Sequence, residues 1–415
     1  MGCGACQWAC PSGAVSLCDI ADKGIRPFVD ETKCQKCGKC IEVCPGIKLE
    51  HGEFPKCCMK ELSAGWGPVL AMYEGYAIDQ EIRFKGSSGG AATAIALWAL
   101  ERGNFAGVLH IKADPNDPLH NIPTFSRNRI DLMQTVGSRY APAAPCQSFD
   151  LIKEADGQCV FVGKPCDCAA LRKACQVDAG LAAKVGLVIS IFCAGTPTTA
   201  GTLAILRLMK IENSAYVTSF RYRGHGWPGD TMAEVGERKP GGNNPLLGSN
   251  NDILDGQDTG CWQRSLSYAE AWGGILSKNG QLRCRLCPDK TGEFSDISLG
   301  DPWYRDIQGD IGRSLILIRT SGGEKIWRIL QNQGYLEMQP SIWSRLPESQ
   351  DSIYQGRCSL LGRLLIMRLW KIPIAVFVGF NLEFNWKQLD LMQKIKTVLG
   401  TVRRILQRHW FSPEV

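Results

Sequence analysis

The sequence predicts an α+β protein of several domains: a small cysteine-rich module over residues 1–60, a larger α/β body over 61–345, and a basic, partly helical tail over 346–415. Three observations predict it. A chain of 415 residues is longer than one hydrophobic core ordinarily organises. Eight of its 20 cysteines fall within the first 44 residues, at short repeating intervals. The body alternates short apolar runs with helix-like runs, which is the pattern of βαβ units.

In the module, Cys34, Cys37, Cys40 and Cys44 follow the spacing C-x2-C-x2-C-x3-C and are closed by Pro45. Three closely spaced thiolates wrap three iron corners of one cubane, and the fourth reaches a neighbouring cluster, so one run implies a second. The second run is Cys3, Cys6 and Cys10, followed by Pro11; its first cysteine would fall one residue before Met1. Residues 14–17 and 25–29 read as two short strands between the runs. The module is therefore expected to have the fold of a bacterial two-cluster [4Fe-4S] ferredoxin, with Cys34, Cys37, Cys40 and Cys10 on one cluster and Cys3, Cys6 and Cys44 on the other. The missing ligand has three explanations: a start assigned too late, which is the preferred one, a three-cysteine site for a three-iron cluster, or rescue by Cys18, Cys57 or Cys58.

The chain opens on Met1-Gly2-Cys3 without a charged leader, an apolar core and a small-residue cleavage site, so reduced thiols and a cytoplasmic location are expected. The apolar stretch 360–380 is interrupted by Arg363, Arg368 and Lys371, and no transmembrane helix is expected. From residue 360 onward nine Lys/Arg face three acids, an excess that equals the net charge of +6 of the whole chain. Such a tail suits an acidic partner or peripheral contact with an anionic membrane, and equally a solvated amphipathic helix packed on the body. Nothing in the sequence marks a nucleic-acid module.

In the body, residues 69–77 read as a strand leading into Arg83-Phe84-Lys85-Gly86-Ser87-Ser88-Gly89-Gly90, with a helix expected over 91–101. Glycines and serines at a helix N-terminus leave backbone N–H groups for a phosphate, and Arg83 and Lys85 stand near enough in sequence to pair with it; a plain turn is the commoner use of such a run. Residues 159–163 and 185–192 read as strands around a helix over 167–176 opened by an Asp167 cap. Cys166 and Cys193 then follow the carboxyl ends of two parallel strands, where open α/β sheets place ligands. The C-x2-C of Cys284 and Cys287 precedes a strand over 296–299. Cys166, Cys193, Cys284 and Cys287 together suit a third cubane, a zinc site, or in part ordinary buried thiols. Cys168 and Cys175 are expected in the core, and Cys146, Cys159, Cys261 and Cys358 have no partner motif.

Five separated blocks carry a wider resemblance: Phe84 to Gly90, Val162-Gly163-Lys164-Pro165-Cys166-Asp167, Ile191-Phe192-Cys193-Ala194-Gly195-Thr196-Pro197, Phe220-Arg221-Tyr222-Arg223-Gly224-His225-Gly226-Trp227-Pro228-Gly229, and Cys284 through Asp301. In this order they resemble the family of coenzyme F-420 hydrogenase/dehydrogenase beta subunits, which also contains plant 7-hydroxymethyl chlorophyll a reductase and cyanobacterial divinyl chlorophyllide reductase. The resemblance runs to about residue 345. It implies an α/β flavin- and Fe–S-binding body in which FAD lies against a [4Fe-4S] cluster, so that single electrons become a hydride or the reverse. It makes Arg83, Lys85, Gly86, Ser87, Ser88, Gly89 and Gly90 the leading flavin-phosphate site and the four body cysteines the leading third cluster. The loop with Arg221, Arg223 and Trp227 becomes a wall for flavin or substrate, and His225 a proton donor. The basic tail has no assigned counterpart in the hydrogenase subunits and looks like that of members found with surface-polysaccharide genes.

The function that follows is an iron–sulfur flavoprotein oxidoreductase, passing electrons between a ferredoxin or another redox subunit and a small two-electron carrier, coenzyme F-420 or an organic substrate. The competing readings are an electron-transfer subunit without its own substrate, and a reductase of a tetrapyrrole or polysaccharide-pathway intermediate held near a membrane by its tail.

Overall fold

The computed structural model describes residues 2–236, 262–305 and 309–407. Cys261 and Arg408 lie outside the described residues. In the module, β1 (Val15–Ile20) and β2 (Gly24–Val29) form an antiparallel hairpin, with Val15 opposite Val29 and Ile20 opposite Gly24. Both strands occur where the sequence expects them, β1 running three residues further. Short helices Ala5–Trp8 and Lys39–Glu42 carry Cys6 and Cys40.

A third strand, β3 (Lys48–Glu50), pairs outside the module, as described below. The body adds β4 (Ala71–Ala77), β5 (Gly107–Ala113), β6 (Asn121–Ser126), β7 (Cys159–Gly163), β8 (Val185–Ile191), β9 (Val217–Arg221), β10 (Thr231–Val235), β11 (Trp262–Leu266), β12 (Ile297–Gly300), β13 (Ser314–Ile318) and β14 (Leu336–Pro340). Eight of these make one sheet in the order β14-β4-β13-β12-β8-β7-β5-β6. Its centre, β12-β8-β7-β5, is parallel, and the flanking pairs are antiparallel. Central parallel strands are covered on both faces, which is why β7 and β8 read as continuous apolar runs rather than alternating ones. Strands β11-β10-β9 form a separate small sheet packed with helix Thr199–Leu208.

Helix Ala91–Glu101 has the predicted bounds, and its residues Ala94 to Ala99 are all buried, as expected of a helix that is apolar on every side. Two helices lie between β7 and β8, the second being Ala179–Lys184, and the first differs from expectation. It runs Pro165–Val177, with Lys164 as the cap and Pro165 at the first position. Asp167 sits third and its carboxylate accepts the Lys164 backbone N–H at 3.0 Å. Proline fits the first turn because that N–H has no helical acceptor anyway, so the helix starts a half-turn earlier than an Asp cap would set it.

The tail folds back over both other segments through helices Asp351–Cys358, Leu360–Leu369, Leu382–Lys387 and Leu391–Gln407. Its strand β15 (Val376–Val378) pairs in parallel with β3 of the module, Phe377 opposite Leu49. Leu49, Ala169 of the body and Phe380 of the tail share one small core. Beside it Glu293 is ion-paired with Arg357 and lies 2.9 Å from His51, whose ring stacks on Phe294 at 4.5 Å. The expected segments 1–60, 61–345 and 346–415 thus meet at one buried joint. Among the described residues no helix is long and apolar enough to cross a membrane.

Candidate iron–sulfur centres and an adjoining cleft

The parallel strands deliver the site residues at their carboxyl ends: β7 leads into Lys164, Cys166 and Asp167, β8 into Phe192 and Cys193, and β12 into Asp301. This is the sheet edge where open α/β folds bind ligands. The Cys193 N–H donates to the Lys290 carbonyl at 2.8 Å, which draws the distant C-x2-C segment alongside. The Cys284 sulfur accepts the Thr196 N–H at 3.3 Å, and the Cys287 thiol donates to the Asp289 carbonyl at 2.8 Å.

The four thiols sit in one another's electrostatic reach, Cys193 beside Cys284, Cys287 beside both, and Cys166 beside Cys193 and Cys287. Burial pushes Cys193 up to about 11, helped by Cys284, and pushes Cys166 and Cys287 up as well. Thiols whose ionisation is disfavoured in this way ionise when a metal centre supplies the opposing charge. Among the described residues no three His, Cys, Asp or Glu side chains converge as they would on a single metal ion. A cubane asks for something else, four sulfurs on separate corners. Lys164, held 2.7 Å from Asp167, and Lys290 both lie beside these thiols and place positive charge there.

In the module, Cys3, Cys6 and Cys44 likewise neighbour one another. Cys3 is buried, and burial pushes Cys6 up to about 11. Of the rescuing thiols considered, Cys18 is exposed on β1 and bonds to the Asp19 carbonyl, while Cys58 lies beside Cys57 and Arg319. The thiol that does meet the group is Cys146, fully buried and hydrogen-bonded to Cys3; that bond brings Cys3 down to about 7 against the effect of burial. Sequence reading left Cys146 without a role, because no spacing rule links residues 143 apart. The Cys146 backbone N–H also donates to the Cys3 carbonyl at 2.9 Å, and its thiol faces the Asp167 carbonyl at 3.6 Å.

Cys34 is brought near the first run by the Asp30 N–H on the Ala14 carbonyl at 2.8 Å and its own N–H on Asp30 at 3.0 Å. The Cys10 sulfur meanwhile accepts the Ala14 N–H at 3.3 Å. Around these residues the surface is open: Cys37 is exposed, as are Phe28, Val29 and Ile41. The Cys3 group is the inner one. Cys44 lies beside Arg283, the neighbour of Cys284, and Arg26 lies within reach of Cys284.

Two adjoining cavities of about 220 and 160 Å³ form a cleft along the same sheet edge, sharing Ser138, Arg139, Tyr140, Lys164, Phe192 and Asp301 in their walls. The larger reaches Gly86, Ser87, Ser88 and Gly90 and the first residues of helix Ala91–Glu101; the smaller includes Cys193 in its wall. Gly89 and Gly90 take φ of +70° and +69°, and a Cβ on Gly89 would come within 2.7 Å of the Gly312 carbonyl oxygen. Only glycine fits that approach without strain. Asp301 ties the walls together: it accepts from Arg223 at 2.8 and 2.5 Å, from the Trp227 indole at 2.7 Å and from the Ser88 hydroxyl at 2.7 Å. The Ser87 hydroxyl accepts the Ser138 N–H at 2.8 Å.

Gly86, Ser87, Ser88, Gly90 and Arg223 line the cleft, and Gly89 backs it. The other expected cofactor residues stand elsewhere. Lys85 pairs with Glu81 at 2.8 Å, and Arg83 with Asp310 at 3.6 Å, with its guanidinium over the Tyr76 ring. Both belong to helix Gln80–Lys85, which turns them toward these carboxylates. Arg221 ends β9 outside the lining, and Trp227 anchors its loop through Asp301 and by stacking on Trp303 at 5.2 Å. His225 is exposed and stacks on Phe84 at 5.1 Å, since the anchoring of Arg223 and Trp227 on either side turns it out of the cleft. Sequence reading missed Gly137, Ser138, Arg139 and Tyr140, whose position opposite the 86–90 loop no local motif announces.

Residues 72–149 match the family model for the N-terminal part of the coenzyme F420 hydrogenase/dehydrogenase beta chain, and residues 156–342 match the model for its C-terminal part. Residues 1–46 match a 4Fe-4S dicluster domain. The chain is 34% identical over 276 residues to F420-dependent formate dehydrogenase 1 subunit beta of Methanococcus maripaludis, covering 64% of this chain and 60% of that one. It is 24% identical over 286 residues to coenzyme F420 hydrogenase subunit beta of Methanosarcina barkeri, covering 66% and 83%. Among solved structures it resembles a chain of the F420-reducing [NiFe] hydrogenase complex from Methanosarcina barkeri, with a TM-score of 0.51, 18% identity, and 74% and 94% of the two chains covered.

Proposed function

The chain belongs to the coenzyme F420 hydrogenase/dehydrogenase beta subunit family, and from that membership we propose that it is an iron–sulfur flavoprotein that relays electrons between a redox partner and a two-electron carrier or substrate. The observation that carries the reading is spatial order. The Cys10, Cys34, Cys37 and Cys40 group, in which Cys37 is exposed, is the port, and the Cys3, Cys6 and Cys44 group, in which Cys3 is buried, follows it. Next comes the Cys166, Cys193, Cys284 and Cys287 group, and then the cleft whose wall includes Cys193.

The residues of the cleft fit FAD. The N-terminus of helix Ala91–Glu101 opens behind a glycine-rich loop and offers N–H groups to an anionic diphosphate. Phe192, Tyr140 and Trp303 give the smaller cavity flat walls for a ring system. When bound, a flavin exchanges single electrons with clusters and hydride with nicotinamide or deazaflavin carriers. Lys164 stays protonated between cleft and thiols and offsets their negative charge. Coenzyme F420 or a chemically similar carrier is the proposed two-electron partner, by analogy with the named relatives. The proposed protein partner is a redox subunit or ferredoxin docking on the open face around Cys37.

The test is anaerobic purification followed by iron, sulfide and flavin quantification. We expect about one FAD per chain and, in Cys284→Ser, the loss of one cluster's roughly four irons with the module's iron unchanged. Unchanged iron removes the third cluster, and absence of flavin after anaerobic reconstitution removes the flavin reading. Reoxidation of the reduced protein by deazaflavin, but not by other two-electron acceptors, identifies the carrier.

A further inference from the structure

Of the 27 large apolar side chains that the described residues expose, eleven lie in the tail between Leu365 and Leu406. Helix Leu391–Gln407 concentrates them, and it carries two apolar faces. The inner face is narrow: Thr401 and Ile405 are buried, Ile405 against Leu360, Leu364 and Met367. The outer face holds Leu391, Met392, Ile395, Leu399 and Leu406, all exposed. At about 100° per residue these five fall on one arc of roughly a quarter-turn, with the half-exposed Val402 inside it.

The edge of that arc is basic. Lys396 and Arg403, both exposed, follow it directly around the helix. Between residues 391 and 407 the sequence holds four Lys/Arg and no acid. Exposed Arg368, Lys371 and Lys387 add to the charge on the elements packed beside it, against exposed Glu383 and Asp390. An apolar stripe bordered by cations on a helix that cannot span a bilayer is the design of a helix lying in the interface plane.

We propose that helix Leu391–Gln407 docks this chain on an anionic lipid surface, with Leu391, Ile395, Leu399 and Leu406 among the acyl-chain ends and Lys396 and Arg403 at the headgroups. A second copy of the chain is a poorer occupant, because it would set a helix with four Lys/Arg and no acid against its own like-charged copy, where an anionic surface supplies the opposite charge. The inference does not rest on the flavin reading.

The full-length holoprotein is floated with vesicles of phosphatidylcholine, with and without phosphatidylglycerol. It should float only with the anionic vesicles and be released by high salt. Ile395→Asp with Leu399→Asp, at two exposed positions, should cut the bound fraction at least about tenfold. Lys396→Glu with Arg403→Glu should remove the preference for phosphatidylglycerol while leaving the apolar stripe intact, which keeps the test open should the first pair disturb folding. Equal binding to neutral vesicles overturns the proposal, as does binding that neither pair alters. Vesicle-free self-association that the first pair abolishes, with no vesicle binding by the parent, assigns the face to a second copy instead.

Discussion

Asp301→Asn isolates the bond set that shapes the cleft. In the parent, the Asp301 carboxylate takes both Arg223 N–H groups, the Trp227 indole and the Ser88 hydroxyl, and the Arg223 side chain is 2% exposed. An asparagine keeps the size and one acceptor but removes the charge, leaving a buried guanidinium without its counter-ion. Breaking one side of a buried pair destabilises by about 3–5 kcal/mol. For a body of this size each kcal/mol lowers the melting temperature by roughly 2 °C, so a loss of roughly 6–10 °C is expected. Removing the guanidinium as well should be milder: Arg223→Met with Asp301→Asn should melt above Asp301→Asn alone, since no orphan charge remains and the asparagine oxygen still accepts from Trp227 or Ser88. The assay is a calorimetric or fluorescence melt together with flavin content. On the proposed flavin reading, Asp301→Asn should also lose flavin, because the 86–90 loop and the 221–229 loop are no longer tied to one point. Ser88→Ala, which removes a single hydrogen bond, should cost about 1 kcal/mol. An Asp301→Asn protein that melts within about 2 °C of the parent would refute the reasoning, as would a double variant less stable than the single one.

Glu293→Gln probes the joint between module, body and tail. Burial raises the Glu293 carboxyl, but Arg357 and then His51 outweigh it and hold it at about 2 against an ordinary 4.5. A depressed carboxylate contributes its full stability above the ordinary value and loses it as pH falls through the folded value. The wild-type advantage over Glu293→Gln should therefore be about 3 kcal/mol at neutral pH and shrink as pH falls below 4 in urea unfolding; an advantage that grows as pH falls from 4 to 2 would sink the assignment. Cys146→Ala should leave the iron content unchanged and lower one cluster's midpoint potential by roughly 20–60 mV, the one-electron equivalent of a hydrogen bond to sulfur. An EPR-monitored redox titration reads it, and either iron loss or an unmoved potential would count against a hydrogen-bonding role.

Much of the fold was legible because its signals are local. The alternation of β7, its helix and β8 follows from two apolar runs around a capped helical run, and helix Ala91–Glu101 from the glycines before it. The Asp167 cap was misplaced for an instructive reason. The same carboxylate that caps a helix from its N-cap position can, from the third position, accept the cap residue's own N–H, and Lys164-Pro165 supplies the competing start. The glycines and serines of residues 86–90 could be tied to a cleft from sequence because a helix N-terminus is a local property. Arg83 and Lys85 could not be: which way a side chain turns depends on Asp310 and Glu81, one of them more than 200 residues away.

The illegible part is the set of contacts between segments remote in sequence, and these decide how the centres are ordered. Spacing alone assigns ligands to clusters but gives no distance between clusters. That order comes from Cys146 against Cys3, from the Cys193 N–H on Lys290, and from Arg283 beside Cys44. Each joins the module or a sheet edge to a loop more than 90 residues away. The tail adds a constraint of the same kind. Because β15 pairs with β3 and Arg357 reaches the Glu293–His51 pair, the tail holds the module against the body instead of trailing from it. The clamp fixes the module, with its two groups of thiols, against the body that carries the Cys193 group. The same clamp brings helix Leu391–Gln407 onto the body by its narrow inner face and leaves its wide apolar face exposed.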